Sequence, residues 1–389
     1  MLIQTMPALE AFLDTLAGHP YVAVDTEFVR EKTYYAQLCL IQLAVPGHAA
    51  AIDVLTPGLD LTRVWGLLHE PSVVKVFHAA PQDLELLRVE SAGMPGPIFD
   101  TQIGAEVSGF GEQPGYAKVV EAVVGVKVDK ASQMTDWRRR PLTDRQLNYA
   151  LSDVTHLCSV YETLKKQLEA NDRLSWIAEE MKGLVDEQRY IVDPERAYER
   201  IKIRRPRRRT LGILRELGRW RELRAMKRNL PRRWVAKDEF LVAVAEARPR
   251  DLDGLLRVRG ATKKLVEGRH GRELLECVAR AMAMAEEDLP QSKGPSSRVV
   301  VDDSLVALLQ ALLRLRTTEA GVSMRLVATR KDLERIARGA ADPSDRVMRG
   351  WRRELFGSDA ISLYEGRLGL TGTSGQVATV AIEQSEEMV

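Results

Sequence analysis

Apolar positions follow two different periods along the first half of the chain. Short runs rich in Val, Ile, Leu and Tyr at 21–28, 36–45 and 49–54 predict three strands, and Pro46-Gly47 predicts an antiparallel turn between the last two. A fourth strand is predicted at 73–77. Helical spacing appears near 60–69, 81–91, 101–107, 115–124, 143–169 and 172–187. Strands that then alternate with helices predict an α/β domain with a mixed sheet over residues 1–195.

Beyond residue 200 the pattern is helical throughout and repeats weakly at an offset of 92. Leu217 matches Leu309, and Arg224 matches Arg316. We therefore predict two small all-α domains in tandem, at 205–290 and 298–370. The stretch 289–297 is predicted to be a flexible linker, and residues 371–389 a disordered tail.

Charge is divided unevenly between the two halves of the 389-residue chain. The net charge of +2 conceals 19 basic and 29 acidic residues before position 201, against 38 and 26 after it. The basic half predicts a polyanionic partner, with nucleic acid favoured over a merely solvated surface. The segment 200–209 alone has seven positive charges and no acid.

Other features of composition restrict the class of protein. Three dispersed cysteines, Cys39, Cys158 and Cys277, indicate a reducing compartment and no zinc site. The first residues lack the pattern of a signal peptide, and no apolar run approaches the ~20 residues of a membrane span. We therefore expect a cytoplasmic protein without a membrane partner. No phosphate-binding Gly-x-x-x-x-Gly-Lys loop occurs, so we expect no nucleotide cofactor.

Two acids, Asp25 and Glu27, close the first apolar run and supply the first chemical hypothesis. Side chains two apart on a strand project from the same face, so these carboxylates would repel one another unless a cation or proton lay between them. Asp-x-Glu occurs four times in the chain, and only this copy ends a predicted strand. A divalent metal site and a salt-bridged structural role both remain open on this pair alone.

Two further segments contain matching chemistry. His78 to Asp83 follows the fourth predicted strand, and Pro81 suits the first turn of a helix, which places Asp83 near the helix start. Thr143 and Gln146 form a capping-box pattern, so a second helix begins there and puts Tyr149 and Asp153 on one face. Taken singly, Tyr149 could equally be a core tyrosine and Asp153 a surface acid.

In combination and in this order, the three motifs resemble the DEDD exonuclease superfamily, and the tyrosine marks its DEDDy branch. The flanking segments resemble those of the ribonuclease D family, in Val128-Asp129-Lys130, Thr135-Asp136-Trp137 and Arg140-Pro141-Leu142-Thr143. The helical repeats look like the tandem HRDC domains of that family. The likeness in the first copy lies in Leu223-Arg224, Pro231-Arg232-Arg233-Trp234-Val235 and Lys237-Asp238. The resemblance covers about residues 20–370.

This resemblance implies a ribonuclease H-like exonuclease domain followed by two HRDC-like domains. It also implies a monomeric 3′→5′ exoribonuclease that trims RNA with a free 3′ end, tRNA precursors in particular. Two divalent ions, Mg²⁺ or Mn²⁺, would be held by Asp25, Glu27, Asp83 and Asp153. Tyr149 would orient the attacking water, because a free tyrosine with a pKa of about 10 is rarely ionised at neutral pH.

Several roles stay open at this point. His78 could contact substrate or bond to the backbone, and Trp220, Trp234 and Trp351 could stack on bases or lie in the core. Phosphate contacts are predicted for the arginines of the basic segment, namely Arg204, Arg205, Arg207, Arg208 and Arg209. A DNA exonuclease and a non-catalytic RNA-binding module on a nuclease fold are the alternatives, although a non-catalytic protein would have no use for the crowded acids.

Overall fold

The structure, a computed structural model, describes residues 1–129, 135–291 and 301–382. The chain forms two compact units. One comprises Met1–Glu27, Leu38–Asp186 and Arg298–Val389, and the other comprises Phe28–Gln37 and Glu187–Ser297. The second helical segment therefore packs with the α/β domain, a grouping that the sequence does not predict. Most of the predicted linker and the end of the tail lie outside the described residues.

The first unit is built on a mixed sheet with the strand order β1-β4-β3-β2-β5-β6. β2 runs parallel to β5, which is parallel to β6, whereas β3 and β4 are antiparallel. The predicted mixed α/β sheet is confirmed. The strands are β1 Leu2–Ile3, β2 Tyr21–Val29, β3 Gln37–Val45, β4 His48–Ile52, β5 Val74–Phe77 and β6 Ile98–Asp100.

Helices cover this sheet because its central strands are apolar on both faces. In β3, every residue from Leu38 to Val45 is buried, as expected for a strand enclosed on both sides. The helices are α1 Met6–Thr15, α2 Thr62–His69, α3 Pro81–Glu90, α4 Thr101–Val107, α5 Tyr116–Val124, α6 Asp144–Ala170 and α7 Leu174–Leu184. The short β1, α1 and β6 were not predicted.

Local sequence signals set the starts of the two helices that matter for the site. Pro81 occupies the first turn of α3, where its missing N–H leaves no hydrogen bond unmade. At α6, the Thr143 side chain accepts from the Gln146 N–H and the Gln146 side chain reaches back, which completes the predicted capping box. Both helix starts therefore lie where the sequence predicts them.

The first unit also contains the helices after residue 301 and a hairpin. The helices are α14 Asp303–Ala320, α15 Met324–Val327, α16 Arg330–Ala337, α17 Gly350–Arg352 and α18 Ser358–Tyr364. These helices pack against α7. Trp176 stacks on Trp351 with 4.2 Å between the ring centroids. Arg352 is buried, bonds Glu180 and donates to the Leu326 carbonyl oxygen at 2.8 Å.

Disorder from residue 371 was predicted, and within the described residues this is wrong. β7 Leu368–Thr373 and β8 Gln376–Ala381 form an antiparallel hairpin. Ser374 and Gly375 both have positive φ, 51° and 81°, as a two-residue hairpin turn requires. The Thr and Gly residues of these strands interrupt the alternation of apolar and polar positions that predicts a strand, so the sequence alone predicts a polar tail.

The second unit is helical, apart from the segment 28–37 that it includes. Its helices are α8 Arg208–Arg228, α9 Arg232–Val235, α10 Asp238–Ala247, α11 Leu252–Leu256, α12 Lys263–Val266 and α13 Arg269–Ala283. Leu217, Leu241 and Leu274 are fully buried in its core, on α8, α10 and α13. None of the helices in the described part of the chain is long and apolar enough to cross a membrane.

Candidate active site

Three carboxylates from two elements of the first unit meet at one point. Asp25 and Glu27 lie on β2, and Asp153 lies on α6 one turn after Tyr149. One carboxylate oxygen from each lies within 4.8 Å of the others, a spacing that could hold a metal ion. The period of the strand places the first two together, as predicted, and only the packing of α6 against the sheet brings the third.

Asp83 lies beside this cluster but makes a different contact. Thr26, the residue between the two β2 acids, donates from its hydroxyl to Asp83 Oδ1 at 2.5 Å in a buried position. Asp83 is therefore not among the three acids whose oxygens converge within 4.8 Å. Thr26 is a site residue that the sequence analysis missed, although it lies inside the first motif.

The cluster strongly favours protons or cations. Burial first, then the charge of Asp153, raises the pKa of Asp25 to about 8. Burial, followed by repulsion from the neighbouring acids, raises the pKa of Glu27 to about 10. Burial also raises the pKa of Asp83 and Asp153. A bound cation would remove this repulsion.

The donor set suits a hard divalent ion. All the candidate ligands are carboxylate oxygens, which Mg²⁺ and Mn²⁺ prefer. Asp153 Oδ1 is buried and has no hydrogen-bond partner among the described residues. A buried carboxylate oxygen without a partner is costly, so this atom fits the role of a metal ligand.

Tyr149 is tied directly to the cluster. Its hydroxyl hydrogen-bonds the Asp153 side chain, and burial, then the negative charge of Asp153, raises its pKa above the ordinary value. Tyr149 is therefore neutral at physiological pH, with the hydroxyl hydrogen available to Asp153 and the oxygen lone pairs available to a second partner. Its ring lies 6.1 Å from that of buried Trp137.

His78 is enclosed rather than open to a ligand. Its Nδ1 lies 3.0 Å from Thr101 Oγ1 and its Nε2 lies 3.2 Å from the Pro114 carbonyl oxygen. Burial lowers the pKa of His78 to about 4, so the ring is neutral near pH 7. Of the two roles left open for His78, these contacts support bonding within the protein.

Tyr116 is a second tyrosine beside the cluster, and no motif pointed to it. Its ring lies 5.3 Å from that of His78, and its hydroxyl donates to the Asp153 carbonyl oxygen at 2.5 Å. Burial raises the pKa of Tyr116 and keeps the hydroxyl protonated. Tyr116 thus bonds the backbone of α6 at the residue that supplies the third acid, and His78 packs on the Tyr116 ring.

The arginines of the basic segment divide into two groups. Arg208 donates to the Leu289 carbonyl oxygen at 2.8 Å, and Arg209 donates to that of Met284 at 2.7 Å and pairs with Glu286. These two stabilise their own helical unit. Arg204, Arg205 and Arg207 are exposed and remain available for phosphates.

A basic pocket of about 850 Å³ lies within the second unit. Trp234, which is 61% exposed, contributes an aromatic face at its edge, whereas Trp351, only 4% exposed in the other unit, belongs to a core. Glu239 is the one acid among the lining residues, against six cations: Arg224, Arg228, Arg233, Lys237, Arg259 and Lys264. Of the three tryptophans considered from the sequence, Trp234 is therefore the best placed for stacking.

The fold and the acidic site define the class of protein to which this chain belongs. Residues 1–169 match the family model described as a 3′-5′ exonuclease, and residues 210–278 match that of the HRDC domain. A tandem pair of HRDC domains stays a prediction. The α/β domain is a 3′-5′ exonuclease domain.

Comparison with whole proteins narrows this class to a family. The chain is 42% identical to ribonuclease D of Gluconacetobacter diazotrophicus over 96% of its length and 95% of that protein, and 40% identical to that of Zymomonas mobilis over 98% of each. The crystal structure of Escherichia coli RNase D, an exoribonuclease involved in structured RNA processing, matches with a TM-score of 0.80 and 31% identity over 94% of this chain and 98% of that one. The chain belongs to the ribonuclease D family of 3′→5′ exoribonucleases.

Proposed function

We propose that this protein hydrolyses the terminal phosphodiester of RNA with a free 3′ end, using two divalent ions, Mg²⁺ or Mn²⁺, held by Asp25, Glu27, Asp83 and Asp153. Its substrates would be tRNA precursors, and it would act as a cytoplasmic monomer. The observation that carries this proposal is the convergence of three carboxylates within 4.8 Å, that of Asp153 buried and those of Asp25 and Glu27 half-buried. The three cysteines are buried and form no disulfide, which agrees with a reducing compartment.

When bound, the ions would lower the pKa of the attacking water and neutralise charge on the phosphate. Asp25, Glu27 and Asp153 supply the converging oxygens. Thr26 occupies one oxygen of Asp83, so the other oxygen is the one that we assign to a cation. The hydrogen bond between Thr26 and Asp83 fixes the rotation of that carboxylate.

Tyr149 orients the water through its oxygen. Because its own proton is donated to Asp153, the phenol oxygen can accept a hydrogen bond from water and leave a lone pair of that water directed at phosphorus. The tyrosine does not act as a general base, since burial keeps it protonated. Attack then releases a 5′-mononucleotide and leaves a new 3′ hydroxyl on the RNA.

RNA would be held away from the cut by the helical unit. The exposed arginines Arg204, Arg205 and Arg207 can contact phosphates. In the basic pocket, Trp234 offers a stacking surface for one base while Arg233 and Lys237 lie in reach of its phosphates. This arrangement suits single-stranded nucleic acid, because stacking needs an unpaired base.

Both alternatives make distinct predictions. A DNA exonuclease would use the same acids and differ only in its preference at the 2′-hydroxyl. A non-catalytic RNA-binding protein would gain nothing from four crowded acids with raised pKa values, since that cluster destabilises a metal-free fold. We therefore favour the exoribonuclease.

The test uses a 5′-labelled RNA with an unpaired 3′ tail, and the matched DNA, incubated with Mg²⁺, Mn²⁺ or EDTA. We expect a ladder that shortens from the 3′ end with RNA, and no ladder in EDTA or with Asp25→Asn. Asp172→Asn, an exposed acid outside the cluster, is the matched control and should leave the ladder unchanged. RNA binding without degradation in either metal would support the non-catalytic alternative, and preferential DNA cleavage would support the other.

A further inference from the structure

Arg140 lies in a loop before α6, and its guanidinium bonds a carboxylate and several carbonyl oxygens at once. Its guanidinium makes two bonds to the Asp53 carboxylate, Nε to Oδ2 at 2.6 Å and Nη2 to Oδ1 at 2.5 Å. It also donates to the carbonyl oxygens of Cys39 at 3.1 Å and Trp137 at 2.7 Å. A planar guanidinium with five donors can make all these bonds together, whereas an ammonium cannot.

Asp53 is a rigid support for this arginine. It follows β4, is 1% exposed and accepts a further hydrogen bond from Gln4 at 3.0 Å. Burial acts to raise the pKa of Asp53, but the hydrogen bonds from Arg140 and Gln4 prevail and lower it, so the carboxylate is charged at neutral pH. Since Cys39 lies on β3, Arg140 joins the loop to two neighbouring strands of the sheet.

The loop residue held in this way packs on the tyrosine of the site. Trp137 is 2% exposed, and its ring lies 6.1 Å from that of Tyr149 at 32° between planes. Its indole N–H has no hydrogen-bond partner among the described residues. The contribution of Trp137 is therefore the shape of its ring, which limits where the Tyr149 ring can lie.

We propose that Arg140 and Trp137 are positioning residues for Tyr149, with Arg140 fixing Trp137 to the sheet and Trp137 fixing the Tyr149 ring. This inference rests on the proposed function, in which Tyr149 orients the attacking water. A small displacement of such a group lowers turnover far more than binding.

The experiment is a double-mutant cycle on the full chain with the 5′-labelled RNA. Arg140→Lys keeps the positive charge but loses the bidentate geometry, and we expect kcat to fall by about tenfold, with KM changed less than about twofold. In a Tyr149→Phe background, Arg140→Lys should lower kcat by less than about twofold, because the hydroxyl that it positions is gone. Arg139→Lys, the exposed neighbour, is the control and should behave as wild type.

A second readout is independent of turnover. In protein labelled with 3-fluorotyrosine, the ¹⁹F resonance that Tyr149→Phe removes should shift or broaden in Arg140→Lys and in Trp137→Phe, and should stay in place in Arg139→Lys. Trp137→Phe serves as the second variant if Arg140→Lys does not fold, as judged by thermal melting.

Two results would overturn the inference. One is a loss of kcat from Arg140→Lys or Trp137→Phe that persists in full in the Tyr149→Phe background, and the other is an unmoved Tyr149 resonance in both variants. If wild-type protein showed no metal-dependent degradation, the proposed function would fail instead, so the two failures can be told apart.

Discussion

At the scale of single residues, the site stores electrostatic repulsion that a cation would relieve. Asp25, Glu27 and Asp153 are close enough to raise one another's pKa, and burial removes the water that would otherwise screen them. The folded pKa of these acids lies above the ordinary value near 4, so the folded protein binds more protons than the unfolded chain. Stability without metal therefore falls as pH rises from about 4 through the raised pKa values.

Asp25→Asn should raise the thermal stability of the metal-free protein. The substitution removes one of the repelling charges, so we expect Tm to increase by a few degrees at pH 8. The increase should be smaller at pH 5, because Asp25 in the folded protein, with a pKa of about 8, is already protonated there. Scanning calorimetry in EDTA would measure this. Added Mn²⁺ should raise the Tm of wild type and of the Asp172→Asn control but not that of Asp25→Asn. A lower Tm for metal-free Asp25→Asn at pH 8 would contradict the repulsion.

Tyr149→Phe should lower kcat without changing the form of the pH–rate profile. The hydroxyl orients water but does not titrate near neutrality, because burial raises its pKa. We expect kcat to fall by about 10²-fold, with the same slope between pH 6 and 9 as wild type, measured by single-turnover hydrolysis. A limb of the wild-type profile that disappears in the variant would assign the titration to Tyr149 and refute its role as a neutral hydroxyl.

At the scale of elements, α7 joins the α/β domain to the helices after residue 301. Arg352 is 1% exposed and its partner is Glu180 on α7, while Trp351 stacks on Trp176. A buried ion pair of this kind determines which surfaces pack together more than it adds to net stability, because both charges lose their hydration. Removing one partner leaves the other charge without that compensation. In the sequence of α7, no motif marks Trp176 or Glu180, so only the packing in the structure reveals this junction.

Arg352→Met should destabilise the first unit by about 3 kcal/mol, since Glu180 would lose its buried cation and retain Arg346, which is 50% exposed. Urea unfolding followed by tryptophan fluorescence would measure the loss. Arg353→Met, the exposed neighbour, should change the free energy of unfolding by less than about 0.5 kcal/mol. Adding Glu180→Leu to Arg352→Met should recover part of the loss, and a further loss would show that the Arg352 contribution is packing alone.

At the scale of the whole molecule, charge is divided between an acidic half and a basic half. Residues 1–200 contain the candidate metal-binding acids and have an excess of ten acids, from 19 basic and 29 acidic residues. The basic excess of the second half is concentrated in part at the pocket around Trp234 in the helical unit. Binding and cutting can therefore be altered independently.

Substitutions in the pocket should separate electrostatic binding from stacking. Arg233→Ala should weaken RNA binding and reduce the slope of log K against log salt by about 1, because one phosphate contact is lost. Trp234→Ala should weaken binding by about 1–3 kcal/mol with an unchanged slope. Fluorescence anisotropy with single-stranded RNA, EDTA and a salt series would measure both. Arg250→Ala, an exposed arginine outside the pocket, is the control, and an equal effect from it would mean diffuse charge rather than a site.

The sequence by itself determined most of the elements of the α/β domain and the motifs of the acidic site. Period-two alternation placed Asp25 and Glu27 on one face of a strand, and the capping box set the start of α6 so that Tyr149 and Asp153 share a face. These features follow from local backbone geometry, which a short stretch of sequence specifies. The motifs that indicate the family are also short local patterns, so their order along the chain was sufficient to recognise the resemblance.

Only the tertiary structure decided which side chains those elements bring together. It turned Asp83 toward Thr26, enclosed His78 between Thr101 and Pro114, and bound Arg209 to the end of α13, none of which any local pattern encodes. The pairing of Arg140 with Asp53 joins positions 87 residues apart. Such contacts depend on which surfaces pack, and packing is a property of the whole unit rather than of neighbouring residues.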